Sequence, residues 1–284
     1  MQDNVDDLHL QYEVHGTGPN LLFMHGLSAD RHQAERYVDP LRGYRVITVD
    51  MPGHGNSPLS DRRPLPAQVG FHTYARIAGD LLRSLGVATS FVGGISMGAG
   101  VAISLAIDSP ELVSGLLLIR PAWVNAPAQP HLGLLADIGD WTAHGGTAMA
   151  EQQLVADHRF AEMNSGTPMC ASGLVETLYR PHVTAAPMVL PVMVDDQPYE
   201  SQSDLGTCTM PALVVSCEHD PLHPRWVADH LEASMPNSVA HVVPPRYLEP
   251  DRHERAVASV IQSFLDRCVE TETNHIHTTI ERPT

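Results

Sequence analysis

The stretch FVGGISMGAGVAISLAI (91–107) constrains this chain more than any other. Its first part is a short apolar run that reads as a buried strand. Its second part, MGAGVAISLAI, reads as a helix rich in small residues. Between them, Gly94-Ile95-Ser96-Met97-Gly98 has to turn the chain from strand to helix. A turn that tight strains its central residue and tolerates only small neighbours, which Gly94, Gly98, Ala99 and Gly100 supply. It lifts the Ser96 hydroxyl above the sheet edge and aims the helix N-terminus at any negative charge that develops there. The plainer alternative is a serine that only caps the helix.

The flanking chain repeats the same rhythm. LHLQYEV (8–14), NLLFMHG (20–26), YRVITVD (44–50) and VSGLLLIRPAW (113–123) read as strands, and TYARIAGDLLRSLGV (73–87) as a helix. From Val124 to Leu205 the segments turn helical and rich in Met and His, and no strong strand appears. The alternation then resumes with MPALVVSCEHD (210–220), RWVADHLEASM (225–235), VAHVVP (239–244) and PDRHERAVASVIQSFLDRC (250–268). Alternation of this kind implies an α/β fold: a mostly parallel twisted sheet flanked by helices. The expected organisation is a core of residues 1–124 and 206–268, with a helical lid at 125–205 after the sixth strand. A polar tail is expected over 269–284.

Composition narrows the function. The 284 residues carry a formal net charge of −16, which repels nucleic acid and anionic lipid and weakly disfavours highly anionic substrates. The N-terminus is acidic and polar, unlike a signal peptide, and no apolar run is long enough to span a bilayer. Cys170, Cys208, Cys217 and Cys268 have neither metal-ligand nor disulfide-framework spacing, so a reducing cytoplasm is expected. The 17 histidines form no H-E-x-x-H pattern, and NHIH (274–277) would bind metal only adventitiously. No glycine-rich phosphate loop is present, so neither a metal nor a cofactor is expected. The anticipated partner is a small-molecule substrate, and a homodimer is compatible with the chain.

Three further motifs stand in order around Ser96. LLFMHGLS (21–28) supplies a His-Gly loop after an early strand, VDMPGHGNS (49–57) a D-x-P-G-x-G-x-S turn, and CEHDPLHP (217–224) an acid loop. With GxSxG they resemble the α/β-hydrolase family over residues 8–267. The resemblance implies that Ser96 is the nucleophile. It also implies that the backbone N–H groups of Leu27 and Met97 form an oxyanion hole, and that His25, Asp50 and His54 shape loops. Asp220 closes its strand where ligands gather in parallel sheets and is the expected acid, with Glu218 its rival by proximity. A serine rather than an aspartate at the elbow argues against haloalkane dehalogenase and epoxide hydrolase chemistry.

The base is harder to find. Where relatives place a histidine this chain has Tyr247, a poor base with an ordinary pKa of about 10. His253 lies four, seven, eight and eleven residues before Val257, Val260, Ile261 and Phe264, so it shares the apolar face of the last helix. It therefore points inward near the active end of the sheet. The R-P-A-W turn, the D-P-x-H-P loop and this shifted histidine together resemble a bacterial subgroup of the family. His253 is thus the expected base, His241 the runner-up and His223 the third choice. Trp123, Trp141 and Tyr247 are expected to contact substrate, with Met149, Met163, Met169, Leu178 and Met188 as further pocket candidates.

A serine so equipped cleaves a small carboxylic ester, lactone or thioester through an acyl-enzyme. Carbon–carbon bond hydrolysis and acyl transfer use the same triad. A non-catalytic binding protein that lost its base is the reading from a different class.

Overall fold

The computed structural model describes residues 2–5 and 8–280, with side chains for 8–271. One eight-stranded sheet runs through the chain in the order β1-β2-β4-β3-β5-β6-β7-β8. Its strands are β1 (Gln2–Val5), β2 (Leu8–Gly16), β3 (Asn20–Met24), β4 (Arg45–Val49), β5 (Ser90–Ile95), β6 (Val113–Ile119), β7 (Ala212–Cys217) and β8 (Ser238–Val243). Strands β3 to β8 pair in parallel, while β1 and β2 form an antiparallel edge.

Strand periodicity sorts the core into two layers. In β3, Leu21 and Phe23 face one side and Leu22 and Met24 the other, and all four are buried. Each such side chain contributes roughly 1.5–3 kcal/mol of burial. The first layer packs against α1 (Arg31–Val38) and α11 (Pro250–Ile280). The second packs against α2 (Phe71–Ser84), α3 (Met97–Asp108) and α10 (Arg225–Ser234). Helix α3 is buried from Met97 to Ala106, which explains its small side chains: it runs between α2 and the sheet.

Between β6 and β7 lie six helices and no strand: α4 (Gly133–Ala156), α5 (His158–Gly166), α6 (Pro168–Leu178), α7 (Pro181–Ala185), α8 (Val189–Val194) and α9 (Gln202–Thr207). Helix α4 bends at Gly146, whose φ of +75° only glycine takes freely. Helix α11 continues through most of the segment read as a polar tail, as far as Ile280. Residues 281–284 lie outside the described residues. Sequence periodicity also passes over β1 and α1, which are short and mostly polar.

Candidate active site

Ser96 stands between β5 and α3 with φ +56° and ψ −109°, a strained conformation held from both sides. Its N–H donates to Ile119 O at 2.9 Å, and its carbonyl accepts from Ala99 and Gly100. The glycines around it are obligatory. A Cβ on Gly94 or Gly98 would come within 2.4 or 2.5 Å of the Met24 carbonyl oxygen. Of the five non-glycine residues with positive φ among the described residues, Ser28, Ser96, Arg120 and His219 lie in the loops at this end of the sheet.

The loop after β3 lies directly beside the elbow. A Cβ on Gly26 would sit 3.4 Å from Ser96 Cβ. His25 holds this loop: Nδ1 bonds the Gly26 carbonyl at 2.8 Å and Nε2 accepts from Met51 N–H at 3.0 Å. Burial keeps its imidazole below the usual range. Gln33 Oε1 accepts from Gly26 N–H at 2.8 Å. The amides of Leu27 and Met97 donate to no other group among the described residues. Asp50 ties the next turn to α1, accepting from Arg31 N–H at 2.7 Å and Asn56 N–H at 2.9 Å. His54 is buried against His25, with ring centroids 4.9 Å apart.

Asp220 is fully buried at its side chain and doubly engaged. Arg120 Nε donates to Oδ2 at 2.6 Å, and His223 Nδ1 lies 2.8 Å from Oδ1. Burial alone would raise the carboxyl, but Arg120 and then His223 outweigh it and hold it well below the usual carboxylate range. His223 Nδ1 also lies 3.0 Å from Arg120 Nη2. The shorter contact, to an ionised carboxylate, favours a proton on Nδ1 and leaves Nε2 as the acceptor. Burial keeps the His223 imidazole below its ordinary value against the pull of Asp220. Glu218 is exposed and paired with Arg225 at 2.9 Å.

His253 does point inward and is wholly buried. It meets neither Ser96 nor Asp220, however. Its Nδ1 bonds the Pro244 carbonyl at 2.8 Å, its ring packs edge-on to Tyr37, and its Nε2 has no hydrogen-bond partner. Burial lowers it to about 4. His241 is exposed on the edge strand β8. Sequence periodicity thus found which face His253 occupies, but periodicity carries no information on what Asp220 bonds. The nearest signal was local: His223 follows Asp220 by three residues in the acid loop.

A cavity of about 540 Å³ opens over Ser96. Leu27, Arg120, Cys170, His223 and Tyr247 share its wall with the α6–α7 segment. Tyr247 O–H is 3.3 Å from Arg120 Nη2, and the guanidinium lies 5.5 Å from the ring centroid. Burial drives the phenol well above its ordinary range and the Cys170 thiol up to about 11, so both stay protonated. Trp123 and Trp141 are not in this wall. Trp123 is buried, meets Phe71 edge-on and gives its indole N–H to the Met193 carbonyl, so it fixes the inserted helices to the core. Of the methionine and leucine candidates, Met169 lines the cavity, while Met149, Met163, Leu178 and Met188 do not.

The model of the alpha/beta hydrolase family matches residues 21–258. The chain belongs to this family. A pimeloyl-[acyl-carrier protein] methyl ester esterase of Vibrio campbellii is 24% identical over 81% of this chain and 87% of its own length. An esterase of Mycobacterium tuberculosis is 34% identical over 37% of this chain and 33% of its own. The first curated relatives are matched over only about a third of their length. Among solved structures, an esterase from Thermogutta terrifontis superposes with a TM-score of 0.73 at 21% identity, covering 94% of this chain and 98% of that one. An enol-lactonase from Burkholderia xenovorans gives 0.72 at 17% identity, covering 94% and 100%.

Proposed function

We propose that this family member hydrolyses a small carboxylic ester, lactone or thioester through an acyl-enzyme on Ser96. The observation that carries the reading is one cavity whose wall holds the strained Ser96, the free-amide loop at Leu27, and an imidazole already bonded to a buried carboxylate. Ser96 Oγ attacks the acyl carbon while its proton passes to an imidazole Nε2. The Leu27 and Met97 amides receive the oxyanion. The alcohol or thiol departs with that proton, and water repeats the sequence to release the acid. The pairing with Asp220 favours His223 as the imidazole, with Asp220 stabilising its charged form.

His253 is the second reading, because its Nε2 is buried without a partner and would accept a proton if the Tyr247 loop moved. At about 4 it is a weak base, and it has no carboxylate partner at rest. Cys170, Cys208 and Cys217 are buried thiols outside any disulfide, which supports a reducing compartment such as the cytoplasm.

A fluorophosphonate probe tests the assignment, with the adduct located by peptide mass. Wild type should label at Ser96, and His223→Ala should lose labelling while His253→Ala keeps it. The converse pattern would return the base to His253. No labelling of folded wild type would sink the hydrolase reading in favour of a binding protein. Product analysis on labelled substrates then separates ester hydrolysis from carbon–carbon cleavage and acyl transfer.

A further inference from the structure

The charge of this chain is unevenly spent. All 17 of its basic side chains are arginine, in a chain of net charge −16. Four of them, Arg36, Arg120, Arg180 and Arg246, line the one cavity over Ser96, against two lining carboxylates, Asp30 and Glu176. Internal pairing does not consume them all. Arg120 is neutralised by Asp220. Arg36 and Arg246 share a single carboxylate, Glu254, at 3.9 and 3.6 Å. Arg180 has no carboxylate within 4.0 Å among the described residues; its Nη1 donates to the Ser28 carbonyl instead. The Asp30 carboxylate is itself engaged as the N-cap of α1, accepting from His32 N–H at 3.0 Å. Arg180 is also partly buried, and that burial pulls its guanidinium below its ordinary value. Asp30 and Glu176 act on this guanidinium only from beyond contact distance, so no carboxylate occupies its fork, and a planar carboxylate is the partner that fork fits best.

Its position sets what that partner belongs to. Arg180 is fastened to Ser28, the neighbour of Leu27, and Gly26 of the same loop faces Ser96. We propose that Arg180 binds a carboxylate carried on the acyl part of the substrate, so that the ester cleaved at Ser96 is a half-ester of a short dicarboxylic acid or the equivalent lactone or thioester. This rests on the hydrolase reading above. It also revises the expectation from net charge: long-range repulsion from the acidic surface is screened within about 8–10 Å at ordinary ionic strength, whereas a partly buried pair is not.

The test compares two substrates of equal acyl chain length, monomethyl glutarate and methyl pentanoate, by titration of released acid. The expected kcat/KM ratio favours the half-ester by about ten- to a hundredfold, the range of a charge-assisted hydrogen bond. Arg180→Gln should collapse that ratio, chiefly through KM for the half-ester, and Arg180→Lys should restore part of it. The ratio cancels any general damage from losing the bond to Ser28. Equal rates on both esters in wild type, or an unchanged ratio in Arg180→Gln, would overturn the proposal. Calorimetric titration of glutarate into Ser96→Ala needs no turnover and so separates the two readings. Binding there that is lost in Ser96→Ala/Arg180→Gln supports the carboxylate site even if neither ester is cleaved, and absent binding overturns it.

Discussion

Arg120 and Asp220 face each other across 2.6 Å, Nε to Oδ2, with side chains 5% and 0% exposed. They close the ends of adjacent parallel strands, β6 and β7, so the sheet itself fixes their spacing. Removing one partner from such a pair strands the other charge in low dielectric. Arg120→Met is therefore expected to cost about 3–5 kcal/mol of stability, measured by urea unfolding. The double replacement Arg120→Met/Asp220→Leu should recover much of that loss, since no orphan charge remains.

The same pair sets acid stability. The folded Asp220 carboxyl lies below its unfolded value of about 3.9, so the unfolded chain takes up the proton first as pH falls. Its contribution is full above about pH 4 and is lost as pH drops through the folded value. Asp220→Asn should flatten the stability curve below pH 4 and lie below wild type at neutral pH.

His253 acts in a different window. Its folded pKa of about 4 lies below an ordinary 6.5, so stability is full above 6.5 and declines between 6.5 and 4. The span amounts to roughly 3 kcal/mol. His253→Leu should shrink this limb by the His253 share and leave the part owed to other buried histidines, His25 and His223 among them. An unchanged limb would mean that His253 titrates alike in the folded and unfolded chain.

Catalysis should carry a separate signature. The base must be neutral, so kcat/KM falls on the acid side as the imidazole gains its proton. With His223 as base that limb lies below 6.5, because burial depresses its pKa. Replacing His223 by Ala should lower kcat/KM by about 10²–10⁴, the usual worth of a general base.

Close approach at the elbow is also testable. In Gly98→Ala the new Cβ would meet the Met24 and His25 carbonyl oxygens at 2.5 and 2.9 Å, both backbone atoms. Overpacking of this kind costs about 1–3 kcal/mol. Thermal unfolding should show the loss, and probe labelling of Ser96 should slow.

The fold was legible because its signals are local. Residues 91–107 announce strand, turn and helix by size and polarity alone, and β3, β4, β6 and β7 are apolar runs with no plausible helical face. Inward burial of His253 followed from helical spacing in the same way. What Asp220 touches did not follow from spacing. Its partners depend on where Arg120 emerges from β6, and Arg120 sits in the turn R-P-A-W with a φ of +48° that no periodicity reports. Trp123 misled for a related reason: its place after β6 suggested the cavity, but its N–H found a carbonyl in α8.

The Ser28 carbonyl accepts from Arg180 and from His182 Nε2, and Thr177 Oγ1 lies 3.2 Å from the Ser28 hydroxyl. All three partners belong to the α6–α7 segment, whereas Ser28 adjoins the amide at Leu27. Three contacts on one residue therefore tie the far wall of the cavity to the loop that carries that amide. A side-chain change in the α6–α7 segment thus has a direct route to the geometry beside Ser96, without touching Ser96 itself.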